Sequence, residues 1–391
     1  TGIIGRAECL FYFIFVTKAS KNTAVVVADP SNGEILGMAS YPTFNLNDPR
    51  KLTGMYTDEE IKDMSDEEYR NNLYSLWTNY CVSESYEPGS TFKPVTVASA
   101  LEEGVVKDGD TYVCKGFETV ADYKLKCHVF STIGSHGSLT VEQALMNSCN
   151  PYMIHLALEM GNSRFAYYQS LFGFGKITGI DLPGETTGIV YGDRMTTIDA
   201  ACNSFGQTIN VNMMQMMAAY CSIINGGMLY QPHIVKRIES ANGEVVKEYK
   251  ANLVRQTITA STSKLLRRYL KNTVEEGTAK KAGVTGYSVA GKTGTAQKGD
   301  RKDNKWIISF IGHAPAENPK FAIYVVIDEP YGTTGTSGSS ADVLTLTHNI
   351  LEKLLPYMNV YKDASDEYED TSSSPDELTV DGIPAGTASS N

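Results

Sequence analysis

YEPGSTFKP, residues 86–94, is the stretch on which the reading of this chain turns. Pro88-Gly89 breaks the chain, and Ser90 then opens a helical run that continues to Glu103, with Gly104 as its stop. Pro94 falls near the first turn, where a missing N–H costs little. Ser90 and Lys93 stand at i and i+3, so they share a helix face and the amine can reach the hydroxyl. A hydroxyl at a helix N-terminus meets free backbone N–H groups and the positive end of the dipole, which favour developing negative charge. Acyl transfer by a serine needs such a nucleophile and a group to take its proton. A Lys serves only when neutral, and burial or nearby positive charge favours that form.

Downstream, Thr140 and Gln143 predict a capped helix that runs to about Asn147. Pro151 opens the next helix, with Asn150 read as its N-cap. Ser148-Cys149-Asn150 therefore sits on a tight interhelical turn and offers a hydroxyl and an amide. Residues 211–224 and 261–276 predict two further helices; the Met-rich face of the first is read as core. Three strand-like runs follow at 286–296, 305–312 and 320–328, an expected antiparallel meander. Lys292-Thr293-Gly294 lies on the first of them. Lys292 would add positive charge to a site, and Thr293 a hydroxyl for a substrate carboxylate. Gly294 would remove the side chain where substrate backbone approaches. The Gly/Thr/Ser stretch 332–340 reads as a loop and 341–357 as a last helix.

Upstream, residues 24–29 and 33–40 flank Pro30-Ser31-Asn32-Gly33 and predict a β-hairpin. Residues 57–70 hold two capping boxes, Thr57 with Glu60 and Ser65 with Glu68, on short acidic helices. The order is strand pair, long helical middle, strand meander, final helix. That predicts an α+β fold: an antiparallel sheet flanked by helices, built from both ends of the chain around a large inserted helical region.

Composition sets the limits. The chain has 391 residues, 42% hydrophobic and 20% charged, as a folded globular protein should. Of its net charge of −11, residues 361–391 carry −7, with eight Asp/Glu and one Lys. No basic field exists to neutralise phosphates, so nucleic acid is not expected as a partner. No run approaches the roughly 20 apolar residues of a membrane span; CLFYFIFV at 9–16 is far too short. It reads as the remnant of an anchor or as a buried segment. Among seven Cys, Cys114 and Cys127 bracket a short stretch, with a disulfide closing a hairpin and two reduced thiols as the two readings. No Cys/His cluster has zinc-ligand spacing in sequence, so neither metal nor cofactor is expected.

Each short motif has decoys: Ser261-Thr262-Ser263-Lys264 for the first, Ser20-Lys21-Asn22 and Ser389-Ser390-Asn391 for the second. Only one combination gives Ser-x-x-Lys, Ser-x-Asn and Lys-Thr-Gly in that order with each motif in a fitting structural setting. On these motifs the chain resembles the class B penicillin-binding proteins, of the penicillin-binding and serine β-lactamase superfamily. The resemblance extends through ADPSNGEILGMASYPTFNLNDP (28–49), YEPGSTFKP (86–94), LMNSCNPYMI (145–154), FGFGKITGIDLPGE (172–185), SFGQTINVNMMQMMAAY (204–220) and VAGKTGTAQ (289–297), and it covers roughly 18–357.

The resemblance implies a serine D,D-transpeptidase that cross-links peptidoglycan on the extracytoplasmic face of a bacterial membrane. Ser90 would be acylated by a D-Ala-D-Ala stem peptide and trapped by β-lactam antibiotics. Lys93 would take the proton, with Ser148 and Lys292 in the relay and Asn150 on the substrate amide. Backbone N–H groups of Ser90 and Thr295 would form the oxyanion hole, and Thr293 and Thr295 would bind the terminal carboxylate beside Gly294. A membrane glycan polymerase and cell-wall assembly proteins would be partners. Cys149, the middle residue of Ser-x-Asn, is expected to point away from the site and pack as a small apolar group.

The chain begins with Thr1 rather than Met, and residues 1–17 do not look like the family, whose anchor and pedestal domain are missing from this chain. It is therefore expected to be N-terminally incomplete: an atypical remnant (1–17), a transpeptidase domain (18–357) and an acidic, Ser-rich, disordered tail (358–391). Rival readings are a D,D-carboxypeptidase, a serine β-lactamase, which would need a deacylating base such as Glu185, and a non-catalytic penicillin sensor or assembly scaffold.

Overall fold

The computed structural model describes residues 20–52, 56–299, 303, 305–330 and 339–363. The N-terminal remnant, the 332–338 part of the Gly/Thr/Ser stretch and most of the acidic tail lie outside them. Strand β1 (Ser20–Ala28) turns back into β2 (Ile35–Tyr41). In the turn, the Asp29 carboxylate accepts from the Ser31 N–H at 2.8 Å and Gly33 takes φ +82°, as an Asx-type reversal with a left-handed position requires. Helices α1 (Asp58–Asp63) and α2 (Asp66–Trp77) each begin with the expected reciprocal capping box. After α3 (Tyr80–Ser83), a 3₁₀ turn at Gly89–Phe92 leads into α4 (Lys93–Glu103), which Gly104 ends in a left-handed cap at φ +75°.

A small β-rich module follows. β3 (Thr111–Cys114) pairs with β6 (Gly137–Thr140), and between them β4 (Phe117–Val120) and β5 (Tyr123–Lys126) form a hairpin. Helices α5 (Val141–Met146), α6 (Asn150–Met160), α7 (Asn162–Leu171), α8 (Thr197–Asn203) and α9 (Met213–Ile224) make the helical middle. Two short pairs, β7 (Met228–Tyr230) with β10 (Leu253–Gln256) and β8 (Arg237–Glu239) with β9 (Val245–Glu248), precede α10 (Ala260–Glu275). The meander is β11 (Ala290–Lys298), β12 (Lys305–Ala314) and β13 (Phe321–Pro330), and α11 (Ala341–Tyr357) follows.

The main sheet has the order β11-β12-β13-β1-β2, antiparallel throughout. The two ends of the chain meet where β1 pairs with β13, Ala24 opposite Val326 and Val26 opposite Tyr324. Strand alternation then splits the core in two. Ala24, Val26, Tyr324 and Val326 face the helical middle and pack with α4, α6 and α9. Val25, Val27, Ile323 and Val325 face the other way, against Val343, Leu344, Leu351 and Leu355 of α11. Every residue of α9 is buried, so its Met-rich surface is core on all sides. The fold is the α+β arrangement expected from the order of elements.

One cap differs from expectation. Cys149, not Asn150, is the N-cap of α6, and no side chain caps that helix. The Asn150 carbonyl is instead occupied by a lysine, as described next.

Candidate active site

The 3₁₀ turn sets Ser90 at the surface of a buried step. Gly89 has φ +55°, and its N–H donates to Gly206 O at 2.9 Å. The Thr91 hydroxyl donates to Pro88 O at 2.7 Å, which closes the turn. Ser90 is half-buried at its apex. Lys93, the first residue of α4, is fully buried. Its Nζ donates to Ser148 O at 2.6 Å, Ser148 Oγ at 3.0 Å and Asn150 Oδ1 at 2.6 Å. Ser148 Oγ lies 3.0 Å from Ser90 Oγ. A continuous chain thus runs from Ser90 through Ser148 to Lys93; the lysine meets Ser90 through the second hydroxyl rather than directly. Ser148 takes φ +54°, a conformation unusual for a residue with a side chain, and this aims its hydroxyl between the other two groups. Burial lowers the Lys93 amine to about 8, with the Cys127 and Cys149 thiols pulling the other way.

The third motif arrives on β11, an edge strand. Lys292 is fully buried, and burial, aided by the charge of Lys93, holds its amine well below the usual lysine range. It donates to Thr293 O at 3.2 Å and Thr293 Oγ1 at 3.4 Å, rather than to Ser90 or Ser148. Among the described residues neither Lys93 nor Lys292 is paired with a carboxylate. Thr293 Oγ1 also reaches Thr278 Oγ1 at 3.4 Å. Thr295 is half-exposed, and its backbone lies against the turn that carries Ser90: a Cβ on Gly89 would sit 2.7 Å from Thr295 O and 3.3 Å from Thr295 N. Gly294 has a reason to be small within the protein itself. A Cβ there would meet the protein's own Pro88 O and Thr91 Cγ2, both at 2.9 Å, and Ser309 Oγ at 2.5 Å. The glycine lets β11 pass close to the turn that carries Ser90. Beyond Thr295, Gln297 and Lys298 line a groove with Glu87, Thr208 and Asn210.

The decoy serine is elsewhere. Ser261 and Lys264 are exposed on α10, and the Ser261 hydroxyl pairs with Thr259. Glu185, the one carboxylate considered as a deacylating base, is held in its own turn by Thr178 N and Oγ1, both at 2.7 Å, and Gly179 N at 3.0 Å. Asn150 Nδ2 points to Lys126 O at 3.4 Å.

Of the two sequence readings of the Cys114 and Cys127 pair, the structure agrees with the reduced thiols. Cys114 and Cys127 are free thiols, with no disulfide between them. Cys149 is buried, as expected, yet it does not pack among apolar groups alone. Cys114, Cys127, His136 and Cys149 bring their Sγ and ring nitrogen atoms within 4.8 Å of one another. No short spaced motif announces this grouping, because strand pairing assembles it.

Comparison with known proteins agrees with this architecture. The family described as the penicillin binding protein transpeptidase domain matches residues 23–352. Stage V sporulation protein D of Bacillus subtilis is 39% identical over 341 residues, 86% of this chain and 49% of the relative. The peptidoglycan D,D-transpeptidase FtsI of Escherichia coli K12 is 31% identical over 353 residues, 89% of this chain and 53% of the relative. This chain therefore spans about half the length of the curated relatives it matches. Penicillin binding protein 3 of Mycobacterium tuberculosis, solved in complex with ampicillin, superposes with a TM-score of 0.78 at 26% identity, covering 94% of this chain and 78% of that one. With the match spanning most of the described residues, the chain belongs to the penicillin-binding protein transpeptidase family, in its class B branch.

Proposed function

We propose that this chain is a serine D,D-transpeptidase domain whose nucleophile is Ser90. The observation that supports the reading most is the chain Ser90 Oγ–Ser148 Oγ–Lys93 Nζ, each link 3.0 Å, ending on a fully buried lysine. Both links fall within the reach that proton transfer requires. With Lys93 neutral, the Ser90 proton passes to Ser148 as the Ser148 proton passes to Lys93. Ser90 Oγ then bonds to the penultimate D-Ala carbonyl carbon of a stem peptide. On collapse, the C–N bond to the terminal D-Ala breaks, and Lys93 returns the proton to the leaving amine through Ser148. A second stem peptide's amine attacks the ester, gives up a proton along the same path and regenerates Ser90. The N–H groups of Ser90 and Thr295 take the oxyanion, supported by the backbone of β11 lying against the Gly89 turn. Lys292, Thr293 and Thr295 form the amine- and hydroxyl-bearing end that receives the terminal carboxylate. Asn150 holds the substrate amide, which would exchange with its present bond to Lys126 O.

A β-lactam places its strained amide where the stem peptide's scissile bond would lie. Its acyl-enzyme should persist, because Glu185 is already consumed by three hydrogen bonds in its own turn. This favours a transpeptidase over a β-lactamase. The domain would work on the outer face of the cytoplasmic membrane, beside a glycan polymerase and cell-wall assembly proteins. Labelling with a fluorescent penicillin, a chase with unlabelled drug and peptide mapping tests the reading. Wild type and Ser261→Ala should carry one stable adduct on Ser90, and Ser90→Ala none, with its circular dichroism unchanged. Label on another serine, or loss of the adduct with bulk penicillin hydrolysis during the chase, would overturn it.

A further inference from the structure

Tyr324 stands in the middle of the main sheet, with a hydroxyl that acyl transfer does not use. It is fully buried on the face that meets the helical middle. Strand register puts it in one row with Val26 of β1, Ile311 of β12 and Lys292 of β11. Its neighbours on that face of β13 are Ala322 and Val326, and all of these apart from Lys292 belong to the apolar core. Phenylalanine would fill the position equally well by packing alone. A phenol placed here costs free energy unless its hydroxyl finds partners.

Those partners lie under the turn that carries Ser90. Tyr86, just before the turn, donates its hydroxyl proton to Tyr324 Oη at 2.9 Å. Thr91, just after Ser90, has its Oγ1 3.5 Å from the Tyr324 oxygen, the loosest link of the series. Thr91 commits its one hydroxyl proton to Pro88 O at 2.7 Å, so toward Tyr324 it accepts. The protons therefore run one way, from Tyr86 to Tyr324, from Tyr324 to Thr91, and from Thr91 to Pro88 O. Ser309 of β12 bonds to the same phenol, which fills its one donor and two acceptor sites. Hydrogen bonds in such a file strengthen one another in a core without water.

The same atoms touch β11. A Cβ on Gly294 would meet Pro88 O and Thr91 Cγ2 at 2.9 Å and Ser309 Oγ at 2.5 Å. The file thus ends in the contact between the Ser90 turn and the strand that carries Thr295. Ser90 lies between Pro88 and Thr91 in the chain, so a shift of either moves its N–H relative to that of Thr295. Oxyanion stabilisation depends on the placing of both donors. A displacement of about 1 Å at a reacting centre costs roughly a hundredfold in rate.

We propose that Tyr324 is a positioning residue for acyl transfer, its buried hydroxyl setting the height of the Ser90 turn against β11 through Thr91. It touches neither the substrate nor the reacting atoms, and it moves no proton in the reaction. The inference rests on the Ser90 reading given above. The oxyanion exists only beyond the bound state, so loss of this support weakens the acylation step and leaves initial drug binding alone.

The test follows labelling of the full chain by stopped flow over a range of fluorescent penicillin concentrations, which gives a limiting rate and a half-saturating concentration. Tyr324→Phe keeps the ring and should lower the limiting rate about tenfold or more. Its half-saturating concentration should stay within about twofold of wild type, and the pH midpoint of the rate should not move, because Lys93 is untouched. Thr91→Val cuts the file at its next member and should do the same. Tyr220→Phe is the control. It removes an equally buried phenol from the same core, one bonded to His313 Nδ1 at 2.9 Å, and should lower the denaturation midpoint without changing the limiting rate. The double variant Tyr86→Phe/Tyr324→Phe leaves neither phenol unpaired, so it should regain stability over Tyr324→Phe but not rate. A limiting rate within about twofold of wild type in folded Tyr324→Phe or Thr91→Val would overturn the proposal. So would a rate that returns with stability in the double variant, or one that falls as far in Tyr220→Phe. Should Tyr324→Phe fail to fold, Thr91→Val and the double variant decide in its place. Peptide mapping of the wild-type adduct keeps the two readings apart. An adduct away from Ser90 overturns both, whereas Ser90 labelling at the wild-type rate in the variants overturns the positioning role alone.

Discussion

In the proposed mechanism Lys93 is the residue on which acylation depends, and its state should be visible in solution. Burial lowers its amine to about 8, so at neutral pH most molecules hold it protonated and unable to accept. Below that value the neutral fraction rises about tenfold for each pH unit. The second-order rate of penicillin acylation should therefore climb between pH 6 and pH 8 and level off above. Stopped-flow measurement of labelling across that range checks this; a flat profile would remove Lys93 as the base. Lys93→Met should cost orders of magnitude in rate at every pH. The residues of the candidate site could be singled out in the sequence because they are near neighbours: Ser90 with Lys93, Ser148 with Asn150, and Lys292 to Thr295. What the spacing could not say was the order of contact. Only the left-handed backbone at Ser148 puts its hydroxyl between nucleophile and lysine. Nor could it show that Lys292 turns to its own strand neighbour. The cysteine and histidine group was illegible because its members, spread over residues 114–149, are joined by strand register.

At the scale of elements, the close passage of β11 across the nucleophile turn does most to shape the site. Glycine makes it possible on both sides, Gly89 on the turn and Gly294 on the strand. Gly89→Ala meets two penalties: φ +55° is costly for any residue with a Cβ, by about 1–2 kcal/mol, and the new methyl would sit 2.7 Å from Thr295 O. Relief requires β11 to move away from Ser90, which would separate the two N–H groups proposed to take the oxyanion. Gly89→Ala should thus lose at least about 1 kcal/mol of stability and lose acylation rate by a larger factor than stability alone explains. Denaturant midpoints measured beside labelling rates separate the two effects; wild-type labelling in a folded variant would refute the close-passage argument. Helix and strand identities were legible here wherever caps or long apolar alternation existed, as in the two capping boxes and the β1–β2 hairpin. The four-residue strands of the 111–140 module carry too few alternating positions to be read. The cap of α6 was misplaced because Asn150, a good capping residue by type, is drawn instead onto the Lys93 ammonium.

The whole molecule is closed by its first strand. β1 lies between β13 and β2, so residues from the start of the chain complete a sheet whose other strands come from beyond residue 289. The inserted helical region hangs between these ends, and Ser90 and Ser148 belong to it while Lys292 belongs to the sheet. The overall architecture was legible because a hairpin at one end and a meander at the other have only one economical way to cover their apolar faces. The cleft itself needed the fold, since nothing local relates residue 90 to residue 292. This topology makes a test at the same scale. A chain lacking residues 20–41 keeps all three motifs in sequence but strips β13 of β1, one of its two neighbours, and uncovers that edge beside Val325 and Val326, both fully buried. Unpaired strand edges of this kind invite aggregation. The shortened chain should give no stoichiometric penicillin adduct. A milder change points the same way: Val26→Asp places a carboxylate at a fully buried position in the centre of the sheet, more than 60 residues before the nucleophile. Burying that charge unpaired costs several kcal/mol, so it should abolish or sharply reduce labelling along with thermal stability. If either protein still formed the Ser90 adduct at the wild-type rate, the sheet would not be what holds the two halves of the site together.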